Sequence, residues 1–244
     1  YWAFFDKVAG VVKSGGKTRR AAKMDILDVS HPDIMEFIRS KQREEEKSHI
    51  LMANGIPAEE ASSTVAYQNT NISVRAPDEF MEIYEKDGVW KTKPVHNKEI
   101  ADKMPEYKAR DIMKAIVEAN LKSGDPGMQF DTTVNKWNTV PNTARINATN
   151  PCGEYNYVDD SSCNLASLNV LLFRRPDGTF DIEGFRAATR TTAIAQDLEF
   201  DNSSYPTAAI ARNSHRLRPL GQGYANLGAL VMSFGLPYDS DEAR

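Results

Sequence analysis

Cysteine is scarce in this chain. Two thiols, Cys152 and Cys163, stand in 244 residues; with no secretory signal, they predict a reducing, cytoplasmic setting rather than a disulfide framework. Histidine is nearly as rare, at four residues. His31 and His49 are isolated, and no cluster of His, Cys and carboxylates has zinc-ligand spacing, so no metal site is read. No apolar run reaches the ~20 residues a membrane helix needs. Positive charge is not in excess: 30 Lys and Arg against 34 Asp and Glu give a net charge of −4 and a pI of about 5.7, which argues against a large nucleic-acid-binding surface. Internal repeats and low-complexity tracts are also missing. What is present is a 41% hydrophobic composition, enough for a sizeable core in one or two domains. Tyr1 falls inside a helical pattern and Arg244 follows no terminal cap, so the chain is expected to be an internal segment of a longer protein.

Helical and strand patterns alternate along the chain, which predicts an α/β arrangement with largely parallel strands. Apolar residues from Trp2 to Val12 recur at helical spacing, which alone reads as a plain amphipathic core helix. Lys23–Asp28 reads as a strand, Ser30 as the cap of a following helix, and the charged run Lys41–Lys47 as its exposed face. Gly55–Ala61 reads as a connection. Val65–Val74 reads as a strand with polar residues crowded at its start, among them Asn69 and Asn71, which by themselves read as satisfied turn amides. Asp78–Lys86 is a short helix, and Lys98–Lys122 a long one that Pro105 should break or kink. The turn Gly124-Asp-Pro-Gly127 ends it, before a buried strand at Met128–Phe130. Strand pattern follows over Leu165–Phe173, then helices over Asp181–Phe200, from Tyr205 to about Asn213, and over Tyr224–Phe234.

Two glycine motifs tempt a nucleotide reading and fail on spacing. Gly16-Lys17-Thr18 would need a glycine at Val11 and a preceding strand to be a P-loop, and has neither. Gly221-x-Gly223 would need its third glycine at Asn226 to be a dinucleotide fingerprint. The basic loop Ser14-Gly15-Gly16-Lys17-Thr18-Arg19-Arg20 still suits a nucleotide's phosphates or base, or is a solvated basic turn. The densest chemistry lies at Asn150-Pro151-Cys152-Gly153-Glu154. It puts an amide, a thiol and a carboxylate at alternate positions, on one side if the segment is extended. Cys163 follows eleven positions later.

Asn150–Glu154, with Ser162-Cys-Asn-Leu-Ala-Ser-Leu-Asn169, resembles the active-site loop of ribonucleotide reductase catalytic chains, most closely the adenosylcobalamin-dependent class II type. The basic loop, the Asn69-Thr-Asn71 strand, the Gly124–Gly127 turn and Arg218-Pro-Leu-Gly221 fall in the family's order. The resemblance implies a ten-stranded α/β barrel with the radical cysteine on a central loop, of which residues 1–244 would be a partial catalytic domain truncated at both ends. It implies Cys152 as the thiyl that takes the ribose 3′ hydrogen, Glu154 as the base for the 3′-hydroxyl and Asn150 as a hydrogen-bonding partner of the substrate. Cys163 becomes one of two reducing thiols, its partner lying upstream of Tyr1. Ser14, Gly15, Gly16, Lys17, Thr18 and Arg19 become the loop between effector and substrate, Asn69 and Asn71 pocket residues, and the Trp2–Val12 helix part of the dimer interface next to the effector. The implied ligands and partners are adenosylcobalamin, a ribonucleotide, a dNTP or ATP effector, a thioredoxin- or glutaredoxin-type reductant and a second copy in a homodimer. Pro151, Gly153 and the short cysteine spacing favour class II over a class I chain fed by a radical-bearing partner. A different reading, a non-catalytic nucleotide-binding regulatory module in which both cysteines only pack, also accommodates the residues.

Overall fold

The computed structural model describes residues 2–14 and 19–244. It divides into two compact units, Tyr1–Asp159 and Asp160–Arg244, each with its own parallel strands. The first unit runs α1 (Trp2–Val11), β1 (Lys13–Ser14), β2 (Arg19–Arg20), β3 (Lys23–Asp28), α2 (Ile34–Ala53), α3 (Ala58–Thr64), β4 (Thr70–Ala76), α4 (Asp78–Glu85), β5 (Val89–Lys91), β6 (Glu106–Lys108), α5 (Ala109–Ser123), β7 (Gly127–Phe130), α6 (Asp131–Lys136), β8 (Ala148–Thr149) and β9 (Asn156–Tyr157). Its main sheet is β3-β4-β7, all parallel, with Lys23 beside Thr70 and Ser73 beside Gly127. The intervening helices make the crossovers that parallel neighbours require.

Strand β4 organises this unit through its two faces. Ile72, Val74 and Ala76 enter one hydrophobic core with Ile34, Phe37 and Ile38 of α2 and Ile112 and Ile116 of α5. The alternate positions Asn71, Ser73 and Arg75 therefore point to the other face. A cation in the middle of a buried strand needs partners, and Arg75 is only 5% exposed.

The second unit contains β10 (Asn164–Asn169), a 3₁₀ turn at Val170–Phe173, α7 (Ile182–Asn202), α8 (Ala208–Leu217), β11 (Leu220–Ala225) and α9 (Leu227–Ser233). Strands β10 and β11 pair in parallel from Asn164 beside Leu220 to Asn169 beside Ala225. The Gln196 side chain of α7 donates to Asn164 O at 2.9 Å and to Gly221 O at 3.3 Å, fastening helix to both strands. Just ahead of β11, Arg218 grips Asp197 at 2.5 Å and Asp201 at 2.9 Å. Its hydrogen bonds hold both carboxyls below the usual range.

The fold is mixed α/β, and its longer strands are parallel as the alternation predicts. Among the described residues the strands form open sheets of two or three, not a closed barrel. Several boundaries depart from expectation for identifiable reasons. Ser30 does not cap α2; its N–H and hydroxyl are taken by Asp28, and the helix begins at Ile34. The run Lys41–Lys47 is not simply solvated, since Lys41 reaches Asp125 at 2.5 Å and Thr70 O at 2.7 Å. The break expected at Pro105 does occur, and more than a kink results: Lys98–Lys122 becomes a 3₁₀ segment (Lys98–Lys103), then β6 paired antiparallel with β5, then α5. Part of the Gly55–Ala61 connection belongs to α3, and Leu220–Ala225 is a strand where a helix was expected from Tyr224. In α1 the stripe Phe4, Phe5, Val8 and Val11 is exposed while Asp6 is fully buried. Asp6 accepts the N–H groups of Tyr67 and Asn69 while Trp2 stacks on Phe37 and Ala9 is buried, so this helix turns a mixed face inward, leaves its apolar stripe outside and is not a plain core helix.

Candidate active site

The hairpin β8–β9 presents the cysteine loop, pairing Ala148 with Tyr157 and Thr149 with Asn156. Between its arms Gly153 N–H donates to Asn150 O at 3.0 Å, closing a turn over Pro151 and Cys152. Proline at the second turn position fixes its own φ, and Gly153 sits at φ +85°, where a Cβ is disfavoured. A turn has no two-residue alternation. The expected extended geometry therefore does not hold, and Asn150, Cys152 and Glu154 share a loop rather than a strand face.

Other groups brace the turn. Asn71 of β4 donates to Pro151 O at 2.6 Å, and Asn156 donates to Gly153 O at 3.1 Å. Asn150 Oδ1 accepts the Tyr155 N–H at 3.0 Å, which orients its amide within the loop. Cys152 is an exposed free thiol and Glu154 is exposed beside it. Cys152 forms part of the wall of a cavity of about 630 Å³, together with Asn71, Ser73, Gln129, Thr149 and Asn156. That size lies in the range of small-molecule sites. A second cavity of similar volume, walled by Trp2, Asp25, Phe37, Arg43 and Tyr67, contains no cysteine.

Beneath the turn lies a buried polar cluster that the sequence reading passed over. Arg75 donates to Asp131 at 2.5 Å, to Gln129 at 3.2 Å and to Ile146 O at 2.6 Å. Asp131 also accepts from Arg145. Burial alone would raise the Asp131 pKa, but the hydrogen bonds from Arg145 and Arg75 win and hold it below the usual carboxylate range. The signal was available: an arginine between Val74 and Ala76, at the apolar end of a strand, calls for a buried partner.

The remaining expected residues are distributed differently. Asn69 packs against α1, its N–H on Asp6 Oδ1 at 2.8 Å, and does not join the cysteine cavity. Gly15, Gly16, Lys17 and Thr18 lie outside the described residues, while Ser14 and Arg19 are backbone neighbours across β1 and β2. Cys163 belongs to the second unit, half-buried at the start of β10, its Sγ 3.8 Å from Asn164 O. A Cβ on Gly221 would stand 3.1 Å from that sulfur and 2.4 Å from Leu165 Cδ2. Gly221 therefore leaves room for the Cys163 and Leu165 side chains.

Comparison with known proteins agrees over the whole chain. The family described as "Ribonucleotide reductase, barrel domain" matches residues 1–244. The chain is 52% identical over 243 residues to the vitamin B12-dependent ribonucleotide reductase of Rhodopirellula baltica, covering 98% of this chain and 23% of that protein. It is 43% identical over 246 residues to the Streptomyces avermitilis protein of the same name, covering 98% and 25%. Against the vitamin B12-dependent ribonucleoside-diphosphate reductase of Mycobacterium tuberculosis strain CDC 1551 it is 35% identical over 239 residues, covering 98% and 31%. The chain thus spans about a quarter of the length of the first two relatives. A match that runs from its first residue to its last places this chain in the ribonucleotide reductase barrel-domain family.

Proposed function

We propose that the protein containing this segment reduces ribonucleotides to 2′-deoxyribonucleotides for DNA synthesis, by the thiyl chemistry its family membership implies. The observation that carries the reading is an exposed thiol, Cys152, on a hydrogen-bonded turn in the wall of a nucleotide-sized cavity. The two units are read as part of a ten-stranded α/β barrel with the Cys152 loop at its centre. The parallel β3-β4-β7 and β10-β11 arrangements support that reading.

In this reading the Cys152 thiyl takes the hydrogen atom from ribose C3′, an exchange that sulfur makes reversible because S–H and activated C–H bonds are close in strength. Glu154, exposed beside it, accepts the 3′-hydroxyl proton. Asn150, its Oδ1 engaged by Tyr155, offers its NH₂ to the substrate. The 2′-hydroxyl then leaves as water. Two electrons and two protons come from a pair of thiols that close to a disulfide, Cys163 and a second cysteine outside this segment. The hydrogen held on Cys152 returns to C3′, regenerating the thiyl. A thioredoxin- or glutaredoxin-type dithiol would reduce the disulfide between turnovers. The exposed apolar stripe of α1 supports a homodimer contact, and the basic loop at 14–19 a dNTP or ATP effector. No described helix is long and apolar enough to cross a membrane, and the cytoplasmic assignment rests on the sparse cysteines.

The relatives' names carry vitamin B12 dependence to the proposal as adenosylcobalamin. Among the described residues no group of three or more His, Cys, Asp or Glu could hold a metal ion. The cavity wall around Cys152 mixes amides and hydroxyls with Met24, Met128, Phe130 and the Asp125 carboxylate, and no described residue is assigned to hold cobalt. A side chain at Gly153 would meet nothing within 4 Å, which leaves this face of the turn approachable. When bound, adenosylcobalamin would supply the radical chemistry that removes the hydrogen atom from the Cys152 thiol.

The test is reduction by the full-length protein. Turnover is expected with added adenosylcobalamin and no second subunit. Activity that instead needs a partner subunit and no cobalamin would move the protein to class I, and no reduction under either condition would overturn the reading. Gly221→Ala probes Cys163. The exposed Leu165 can swing away from the new methyl, so the fold should persist, but the Cys163 sulfur must shift by a few tenths of an ångström. Turnover is expected to fall by about tenfold, given how steeply rate depends on the placement of reacting atoms. Wild-type turnover in this variant would count against Cys163 as a reducing thiol.

A further inference from the structure

The geometry points to Gln129 as a positioning residue for Cys152, acting through Thr149; the inference rests on the reading of Cys152 as the radical site. Three hydrogen bonds run in series from the buried cation to the turn. Arg75 Nη1 donates to Gln129 Oε1 at 3.2 Å. Gln129 Nε2 donates to Thr149 Oγ1 at 3.0 Å. Thr149 Oγ1 donates to Asn150 O at 2.9 Å, and that same carbonyl accepts the Gly153 N–H closing the turn around Cys152.

The direction of every link is forced from one end. A guanidinium has donors only, so Gln129 must present its oxygen to Arg75 and its NH₂ to Thr149. The hydroxyl of Thr149 must then accept, which leaves its own proton for Asn150 O. The carboxamide is therefore not interchangeable with a carboxylate of nearly the same shape. A glutamate at 129 would still pair with Arg75 but could only accept from Thr149. Thr149 would turn its proton toward position 129 and abandon the Asn150 carbonyl. Gln129 is 9% exposed and sits opposite Arg75 across β4 and β7, so its choice of partners is limited by the sheet. The relay ties the pose of the Cys152 turn to the central strand without any of its three side chains being asked to react.

The experiment compares Gln129→Glu, Thr149→Val and Thr149→Ser in the full-length protein, by hydrogen exchange of the Gly153 amide and by steady-state kinetics. Gln129→Glu and Thr149→Val are each expected to speed Gly153 exchange by about tenfold, the worth of one hydrogen bond. Each should lower kcat by a similar factor with KM within about twofold of wild type. Thr149→Ser retains the hydroxyl and should keep wild-type exchange. The double variant Gln129→Glu/Thr149→Val should be no worse than either single one, because both cut the same relay. Exchange unchanged in both single variants would overturn the inference, and so would faster exchange with unchanged kcat. If Gln129→Glu fails to fold, Thr149→Val, altered only in the hairpin, decides the matter alone. Should Cys152→Ser retain full turnover, the assignment of Cys152 fails on its own, whatever the exchange data say about the turn.

Discussion

Cys152→Ser in the full-length protein is expected to lower nucleotide reduction by at least about a thousandfold, the scale of loss when a residue carrying the reaction itself is removed. Serine keeps the shape of the side chain and the turn that holds it, closed by Gly153 N–H on Asn150 O. What it loses is a bond weak enough to give up and take back a hydrogen atom in step with a ribose carbon. Binding of a deoxynucleoside triphosphate effector should be unchanged, because Cys152 lies in the cavity wall of β4, β7 and the hairpin and not in the 14–19 loop. That pair of results separates the enzyme from the regulatory module in which the cysteines only pack. Retained turnover would remove Cys152 from the mechanism. Loss of effector binding together with turnover would mean that the substitution had damaged the fold and not only the chemistry.

Much of the architecture around Cys152 was legible because it depends on local rules. The Gly124 turn ends α5 at Ser123 with φ +78°, a conformation glycine adopts readily. Pro151 and Gly153 marked a tight loop, and a tight turn is what forms. The failures come from competing partners, some near in the chain and some far. Ser30 was a sound cap on paper, but Asp28 competes for both its donors. The apolar stripe of α1 suited a core as well as an interface; it stays exposed while Asp6 is buried, because the N–H groups of Tyr67 and Asn69, some sixty residues away, need an acceptor. Leu220–Ala225 is rich in glycine and poor in strand formers. It becomes a strand because β10 offers it a full parallel register. Gln129 and Thr149 carried no motif at all; their relation to Cys152 exists only once Arg75 has fixed which way each group donates.

Arg75→Met is expected to cost about 3–5 kcal/mol in the stability of the β3-β4-β7 region, the range for removing one partner of a buried ion pair. Methionine fills much of the space but leaves Asp131 with Arg145 alone, and leaves Gln129 Oε1 and Ile146 O without the donors they now have from Arg75. The Arg75 and Asp131 side chains are 6% and 12% exposed, so water cannot readily replace the lost donors. Protection factors of β4 and β7 amides in the full-length protein measure the effect locally. Adding Asp131→Leu should recover part of the loss, since removing both charges is cheaper than stranding one. The pH dependence has a definite sign. The folded state lowers the Asp131 pKa, so its contribution is present above the ordinary carboxylate value of about 3.9 and is lost as pH falls from there through the lower native value. Wild-type protection should therefore decline over that acid range, and decline less steeply in Arg75→Met, where part of the cause of the lowering is gone. An unchanged acid limb in the variant would mean that Arg145, not Arg75, holds the carboxylate charged. The sheet would then owe its stability to a contact at its rim, where Arg145 is 57% exposed, instead of to the cation at its centre.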